Sequence, residues 1–461
     1  MRRFFVPLTF VLACGGAAIA PDEQADPTLV GVSYEVSSDP ALERIDVRAC
    51  FEGAPPPRLI APEPAGALLV DVRGPRNERR RFDDTIDLRG IGPGECVRWT
   101  VDLGRAGYSR EVLLRDGEAL VAPGLLLWRP PGPELPVRVR FQLPVGLHVS
   151  APWIHDGQPQ ELTTEGLRVP GNVAFTRATP LRLREGATEI EAALFAGSLS
   201  VGRDGLERWL RAAVRAVGTF PDGFPVAHLH VAIVPSGPGW RPVAFGLVRR
   251  GGGPSVMLLV HDGIPEEALV RDWTAVHEFS HLAMPRMYEE DRWLSEGLAT
   301  YFQEVLRARG GLIDAEDAWA SIATGFERGR AVGTSRTLWN ESRDMMQTHA
   351  FRRVYWAGTA WALEADLALR ERGRTLDGVL AESRARWSRR EVWHGLALLA
   401  ECDAVIGEPL LVPLAERYGE MTEFPDTDAL LREVGVRFGQ DLDLDGQAPR
   451  AAAREAIVAP R

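Results

Sequence analysis

Between Trp273 and Gln303 the chain reads WTAVHEFSHLAMPRMYEEDRWLSEGLATYFQ. His277 and His281 stand four positions apart, so on a helix both imidazoles leave the same face one turn apart. Glu278 sits beside them. Two histidines at this spacing hold zinc, and the intervening glutamate works on a water that the metal binds. A zinc ion that catalyses needs a third protein ligand and one open position, and Glu296 is the available donor. Alone, H-E-x-x-H also arises by chance. The added W-L-x-E-G-x-x-x-Y-F at 293–302 narrows the reading to a metal centre.

Two helices must position these groups. Pro265, Glu266 and Glu267 suit a first helical turn, where proline is tolerated and acids favour the dipole. Leu269, Trp273, Val276 and Ser280 continue at helical spacing until Pro285 stops the run. A second helix begins near Arg292, carries Leu294, Leu298, Tyr301, Phe302 and Val305, and ends at Gly310 and Gly311. A short loop between the two can set Glu296 opposite the histidines.

The whole chain has 461 residues, 45% hydrophobic and 25% charged, enough for two or three domains with sizeable cores. Its net charge of −11 argues against nucleic acid as a partner, which calls for a basic face. All 53 basic residues are arginine, so Schiff-base and Ser–Lys chemistry are excluded. No phosphate loop, dinucleotide fingerprint or G-x-S-x-G elbow occurs.

Arg2 and Arg3 precede an apolar run, Phe4 to Ala13, too short to span a bilayer. Residues 1–20 read as a signal peptide, and Val11-Leu12-Ala13-Cys14 as a lipobox that would anchor the chain by lipid at Cys14. The expected location is secreted or at a bacterial cell envelope. In such an oxidising compartment Cys50 and Cys96 could pair, and Cys402 reads as a buried thiol.

Residues 28–188 are rich in proline and glycine with alternating apolar positions, such as Ile45, Val47, Ala49 and Phe51, and read as an all-β domain of sandwich type. Trp128, Trp153, His148 and His155 within it read as packing and surface residues. Residues 189–325 form the metal-bearing region. There, Leu206 to Val217 is an amphipathic helix and Leu229 to Val234 a buried strand, with His228 and His230 a weaker metal pair. Ser255 to Val260 is a strand expected, from its order alone, to edge the cleft and pair with extended substrate. Residues 326–439 are helix-rich, and Tyr355 opens a helical pattern in which it suits core and site equally. Residues 440–461 read as an acidic, flexible tail. Asp441 to Gly446 copies the first half of a calcium loop, but Ala452 stands where its closing glutamate belongs.

Together, His277-Glu278-Phe279-Ser280-His281, Trp293-Leu294-Ser295-Glu296-Gly297 and Tyr355-Trp356-Ala357-Gly358 resemble the gluzincin metallopeptidases. Thr337-Leu338-Trp339, Ser342, Tyr355, Gly358, Asp366 and Arg370 are similar to stretches of their glycyl aminopeptidase family. The resemblance spans roughly residues 255–380. It implies a multidomain α+β protein: an N-terminal β domain, a thermolysin-like catalytic domain and a C-terminal helical domain. It further implies zinc on His277, His281 and Glu296, Glu278 as general base, and Tyr355 as hydrogen-bond donor to the tetrahedral oxyanion. The expected activity is zinc-dependent hydrolysis of peptide or protein substrates, aminopeptidase-like. The alternatives are an endopeptidase and a zinc-containing peptide-binding protein without turnover. Departures from the family concern substrate reading. Only 14 residues separate His281 from Glu296, the G-G-L-E-H-like stretch is missing with Phe245-Gly246-Leu247 near its place, and no clear PDZ module follows.

Overall fold

The computed structural model describes residues 29–107, 111–155, 158–159, 162–387, 392–439 and 442–461. The signal and lipobox expectations at 1–20, and Asp441 of the calcium expectation, lie outside those residues.

The N-terminal region is a β-sandwich. One sheet has six strands, in spatial order Leu162–Thr163, Pro136–Gln142, Gly31–Ser38, Arg44–Glu52, Cys96–Asp102 and Leu69–Arg73. The other has four, His148–Ser150, Val173–Thr176, Glu118–Val121 and Val112–Arg115. Ile45, Val47, Ala49 and Phe51 point inward, alternating with polar neighbours, as the period of two requires. Val47, Trp99, Val121 and Phe175 belong to one core that both sheets share. Cys50 and Cys96 face each other across paired strands, Cα atoms 4.2 Å apart, and form a disulfide.

A third sheet, of five strands, carries the site. Its strands are β1 (Leu181–Glu185), β2 (Thr188–Leu194), β3 (His228–Pro238), β4 (Val243–Arg249) and β5 (Ser255–Asp262), in the order β1-β2-β3-β5-β4. β2, β3 and β5 run parallel in the middle, with β1 and β4 antiparallel at the edges. β3 is buried without interruption from Leu229 to Pro235 because both faces are covered. Val231 and Ile233 pack with Leu206 and Trp209 of helix α1 (Gly202–Val217), while Ala232 and Val234 pack with Leu120 and Ala174 of the sandwich. The strand expected to edge the cleft, β5, is therefore interior; β4 is the edge. The expected border at 188/189 falls within the β1–β2 hairpin, so the hairpin as a whole belongs to this sheet.

Helices follow: α2 (Glu266–Arg271), α3 (Thr274–Ser280), α4 (Arg292–Arg309), α5 (Ala315–Arg330), α6 (Leu338–Thr348), α7 (Phe351–Arg370), α8 (Leu376–Trp387), α9 (Gly395–Ile406), α10 (Leu411–Glu420), α11 (Thr427–Glu433) and α12 (Ala451–Val458). One core runs from the sheet through to these helices, including Val231, Phe302, Trp361 and Leu399. The expected border at 325/326 therefore cuts α5 and separates nothing. The tail is a further correction. Leu442–Leu444 pairs with Val436–Phe438, and α12 buries Ile457 completely, its carbonyl accepting from Arg309 Nε at 2.7 Å. Asp443 and Asp445 pair with Arg437 rather than lining a cation loop.

Candidate metal centre and cleft

The helix expected from Pro265 to Ser280 is two helices. Asp272 is extended (ψ 140°) between α2 and α3, and its carboxylate accepts from the N–H of Thr274, the first residue of α3, at 2.8 Å. α3 packs beneath the sheet with Ala275, Val276 and Phe279 fully buried. Its opposite face brings His277 and His281 together with ring centroids 4.9 Å apart. A 3₁₀ turn, His281–Ala283, and the extended Met284 before Pro285 end the run.

Glu296, in the second turn of α4, reaches both histidines with one carboxylate oxygen. Its Oε2 lies 3.3 Å from His277 Nε2 and 3.6 Å from His281 Nε2. The three ligand atoms all fall within 4.8 Å of one another. Ligands bound to zinc at about 2.0–2.1 Å in a tetrahedron stand roughly 3.3–3.4 Å apart, so this donor set fits a zinc ion in type and in spacing. The electrostatics agree. Burial opposes charge on His277, yet Glu296 and Glu278 outweigh it and hold its pKa above the ordinary value. Burial likewise opposes the Glu296 carboxylate, but His281 and His277 win and hold its pKa well below the usual range. The carboxylate and the two imidazoles thus compensate one another's charge.

Glu278 is buried, which raises its pKa against the pull of the two histidines. It rests on β4: Val248 N–H donates to it, and a Cβ on Gly246 would fall 2.5 Å from its Cγ. The sequence reading missed both contacts. Tyr355, in the first turns of α7, hydrogen-bonds Glu296, and its ring stacks on His277 at 6.4 Å and 12°. Burial and the carboxylates of Glu296 and Glu278 push its pKa up, so it is a phenol and a donor at neutral pH.

The other motif residues hold these helices in place. Ser342 Oγ accepts from Trp293 N–H at 3.0 Å and donates to Glu290 O at 2.7 Å, fixing the start of α4. Buried Asp366 accepts from Tyr301 Oη at 2.8 Å, from Arg370 at 3.1 Å and from Leu376 N–H at 2.8 Å, tying α4 to α7 and α8. Gln303, named in the motif stretch without a role, contacts His277 Nδ1 at 2.8 Å. Its position two turns after Glu296 was the available signal.

Among the described residues, His228 and His230 form no metal-spaced cluster with a third ligand. His228 pairs with Glu189 at 3.0 Å, whereas His230 is 2% exposed with neither ring nitrogen hydrogen-bonded. A second cluster, Glu290, Asp291 and His394, lies at the surface, where His394 stacks on Tyr288 and Asp291 accepts from Gly395 N–H.

No protein-family model matches the sequence, and no curated protein does. Solved structures are similar in fold. An aminopeptidase N family protein from Idiomarina loihiensis aligns with TM-score 0.63 at 13% identity over 88% of this chain and 78% of its own. An M1 zinc metallopeptidase from Deinococcus radiodurans, solved with a Tyr-Ser-Ala substrate, aligns with TM-score 0.53 at 18% identity over 87% of this chain and 96% of its own. Legionella pneumophila aminopeptidase A, in complex with aspartic acid, aligns with TM-score 0.53 at 13% identity over 87% of this chain and 50% of its own. The chain therefore shares the fold of these structures: an N-terminal β domain, an α+β middle and a helical C-terminal region.

Proposed function

We propose that this chain is a zinc-dependent peptidase of the cell envelope. One observation carries the reading: the ligand atoms of His277, His281 and Glu296 converge at zinc spacing, with Glu278 and Tyr355 beside them. When bound, zinc supplies a Lewis acid that polarises a carbonyl and acidifies water. Glu278, made more basic by burial, takes the proton of the attacking water and passes it to the departing amine. The Tyr355 hydroxyl donates to the oxyanion as the carbonyl becomes tetrahedral. β4 offers an exposed edge beside Glu278, along which an extended peptide can add as a further strand. A purely binding protein would need neither Glu278 nor Tyr355.

The fold relatives favour an aminopeptidase. A second reading, internal cleavage, is favoured by the cleft edge, because Val243–Arg249 carries no carboxylate to hold a free α-ammonium. Glu278 and Glu296 are already committed. The Cys50–Cys96 disulfide supports an oxidising compartment, so we also propose export, with a lipid anchor at Cys14.

The test is the zinc-loaded chain on a mixed peptide library, read by mass spectrometry beside Glu278→Gln. Stepwise N-terminal loss establishes an aminopeptidase, and internal cuts establish an endopeptidase. A chain that binds one zinc firmly and cuts nothing is the peptide-binding protein instead.

A further inference from the structure

His277 has two ring nitrogens with different tasks. Nε2 faces Glu296 at 3.3 Å, and Nδ1 faces Gln303 Oε1 at 2.8 Å. To coordinate a metal through Nε2, the neutral ring must carry its proton on Nδ1. An amide opposite Nδ1 is ambiguous, because its oxygen accepts and its nitrogen only donates. Rotated by half a turn, Gln303 would present its NH₂ to Nδ1 and drive the ring proton onto Nε2, where it blocks coordination.

Neighbouring groups remove that ambiguity. Gln303 Nε2 donates to Glu304 Oε1 at 2.7 Å, and Glu304 Oε2 accepts from Arg307 Nη1 at 2.7 Å. Arg307 in turn donates to the carbonyl of Arg271, at the α2–α3 break. Arg307 can only donate, and the carboxyl group it pairs with at 2.7 Å receives the amide N–H on its other oxygen at 2.7 Å, so the amide oxygen is left for His277. Burial raises the Glu304 pKa and the adjacent Arg307 cation opposes it. All four side chains are buried, Gln303 to 5% and Glu304 to 3% exposed, so water does not substitute for a missing partner. The placement follows from the helix: Gln303 lies seven residues, close to two full turns, after Glu296, so α4 supplies one candidate ligand and the orienting group of another.

We infer that Gln303, Glu304 and Arg307 form a one-way hydrogen-bond relay that fixes His277 as the Nδ1–H tautomer and thereby sets the zinc affinity of the site. Gln303 is a positioning residue, since it touches neither metal nor substrate. The inference rests on the metal centre proposed above.

The experiment uses the full chain and measures zinc dissociation constants by competition with a chelator of known affinity. Gln303→Leu removes the acceptor and is expected to weaken zinc binding about 10–100-fold. Gln303→Glu restores an acceptor at the same place and is expected to stay within a few-fold of wild type, a rescue that a space-filling role would not predict. Glu304→Gln leaves Gln303 intact but frees its amide to turn, so an intermediate loss of zinc affinity is expected, together with a mixed tautomer signal from the His277 ring nitrogens in the zinc-free protein. Wild-type affinity in Gln303→Leu overturns the relay. Should that variant not fold, unchanged affinity in Glu304→Gln overturns it. A wild-type chain that binds no zinc overturns the metal centre instead, so the two failures are distinct.

Discussion

Gly297 and Gly358 meet backbone to backbone where α4 crosses α7. A Cβ on Gly358 would lie 1.9 Å from the carbonyl oxygen of Trp293 and 2.8 Å from Cα of Gly297. One of these glycines follows Glu296 and the other lies one turn after Tyr355, so the closeness of the helices is what lets the tyrosine reach the carboxylate. Replacing Gly358 with alanine must push the helices apart. We expect Gly358→Ala to cost about 1–3 kcal/mol of stability, as overpacking does, and to lower kcat by displacing Tyr355. Gly333, whose Cβ direction is open, is the control: Gly333→Ala should stay within about 0.5 kcal/mol of wild type. Thermal melts of both variants, with kcat measured beside them, decide it.

Tyr355→Phe isolates the hydroxyl from the ring. The ring stacks on His277 and is retained, so melting should change little. Loss of one oxyanion donor typically costs about 10²–10³ in rate. We expect that loss in kcat with KM nearly unchanged. Wild-type kinetics would return Tyr355 to a packing role.

Legibility in the sequence followed separation along the chain. His277, His281 and Glu296 lie within one stretch, and their spacing carries the metal geometry almost unaided. Tyr355 lies on another helix, and only family resemblance singled it out, because a half-buried tyrosine in an apolar helix suits a core equally well. The break at Asp272 was invisible, since Leu269, Trp273, Val276 and Ser280 keep helical spacing straight through it. β4 was missed for a different reason. A register shift between Val243 and Phe245, and Gly246 at the point of contact with Glu278, spoil the alternation that marks a strand. At the C-terminus, α12 is only eight residues long, too short for a helical period to stand out, and the continuous core from sheet to helices has no compositional border for a sequence to reveal.

Metal should stabilise the fold as well as equip it. Free zinc at about 1,000 times its dissociation constant adds about 4 kcal/mol to a protein that binds it only when folded. We expect the melting temperature of the wild type to rise on adding zinc and to fall with a chelator. Glu296→Ala, which removes the oxygen that both histidines approach, should flatten that response and reduce bound zinc. A variant that keeps full zinc content and the full shift would remove Glu296 from the ligand set.

His230 makes a separate prediction about acid. Its side chain sits on the face of β3 that packs on the sandwich, paired in register with Glu191, whose carboxylate is occupied by Ser150 at 2.6 Å and Arg182 at 2.7 Å. Burial drives the His230 pKa down to about 3 from its ordinary 6.5. The sign follows from proton counting. Below pH 6.5 the unfolded chain takes up a proton at this ring and the folded one does not until about pH 3, so stability falls as pH falls through that window. The slope for one such proton approaches about 1.4 kcal/mol per pH unit. Carboxylates titrate over part of the same range, so the comparison must be between variants. We expect His230→Leu to gain stability relative to wild type steadily between pH 6.5 and pH 4.5, measured as urea midpoints at several pH values. Above pH 7 the difference should be constant, set only by packing and by the two unsatisfied ring nitrogens. Parallel curves across the whole range would mean that the folded protein protonates His230 as readily as the unfolded chain does.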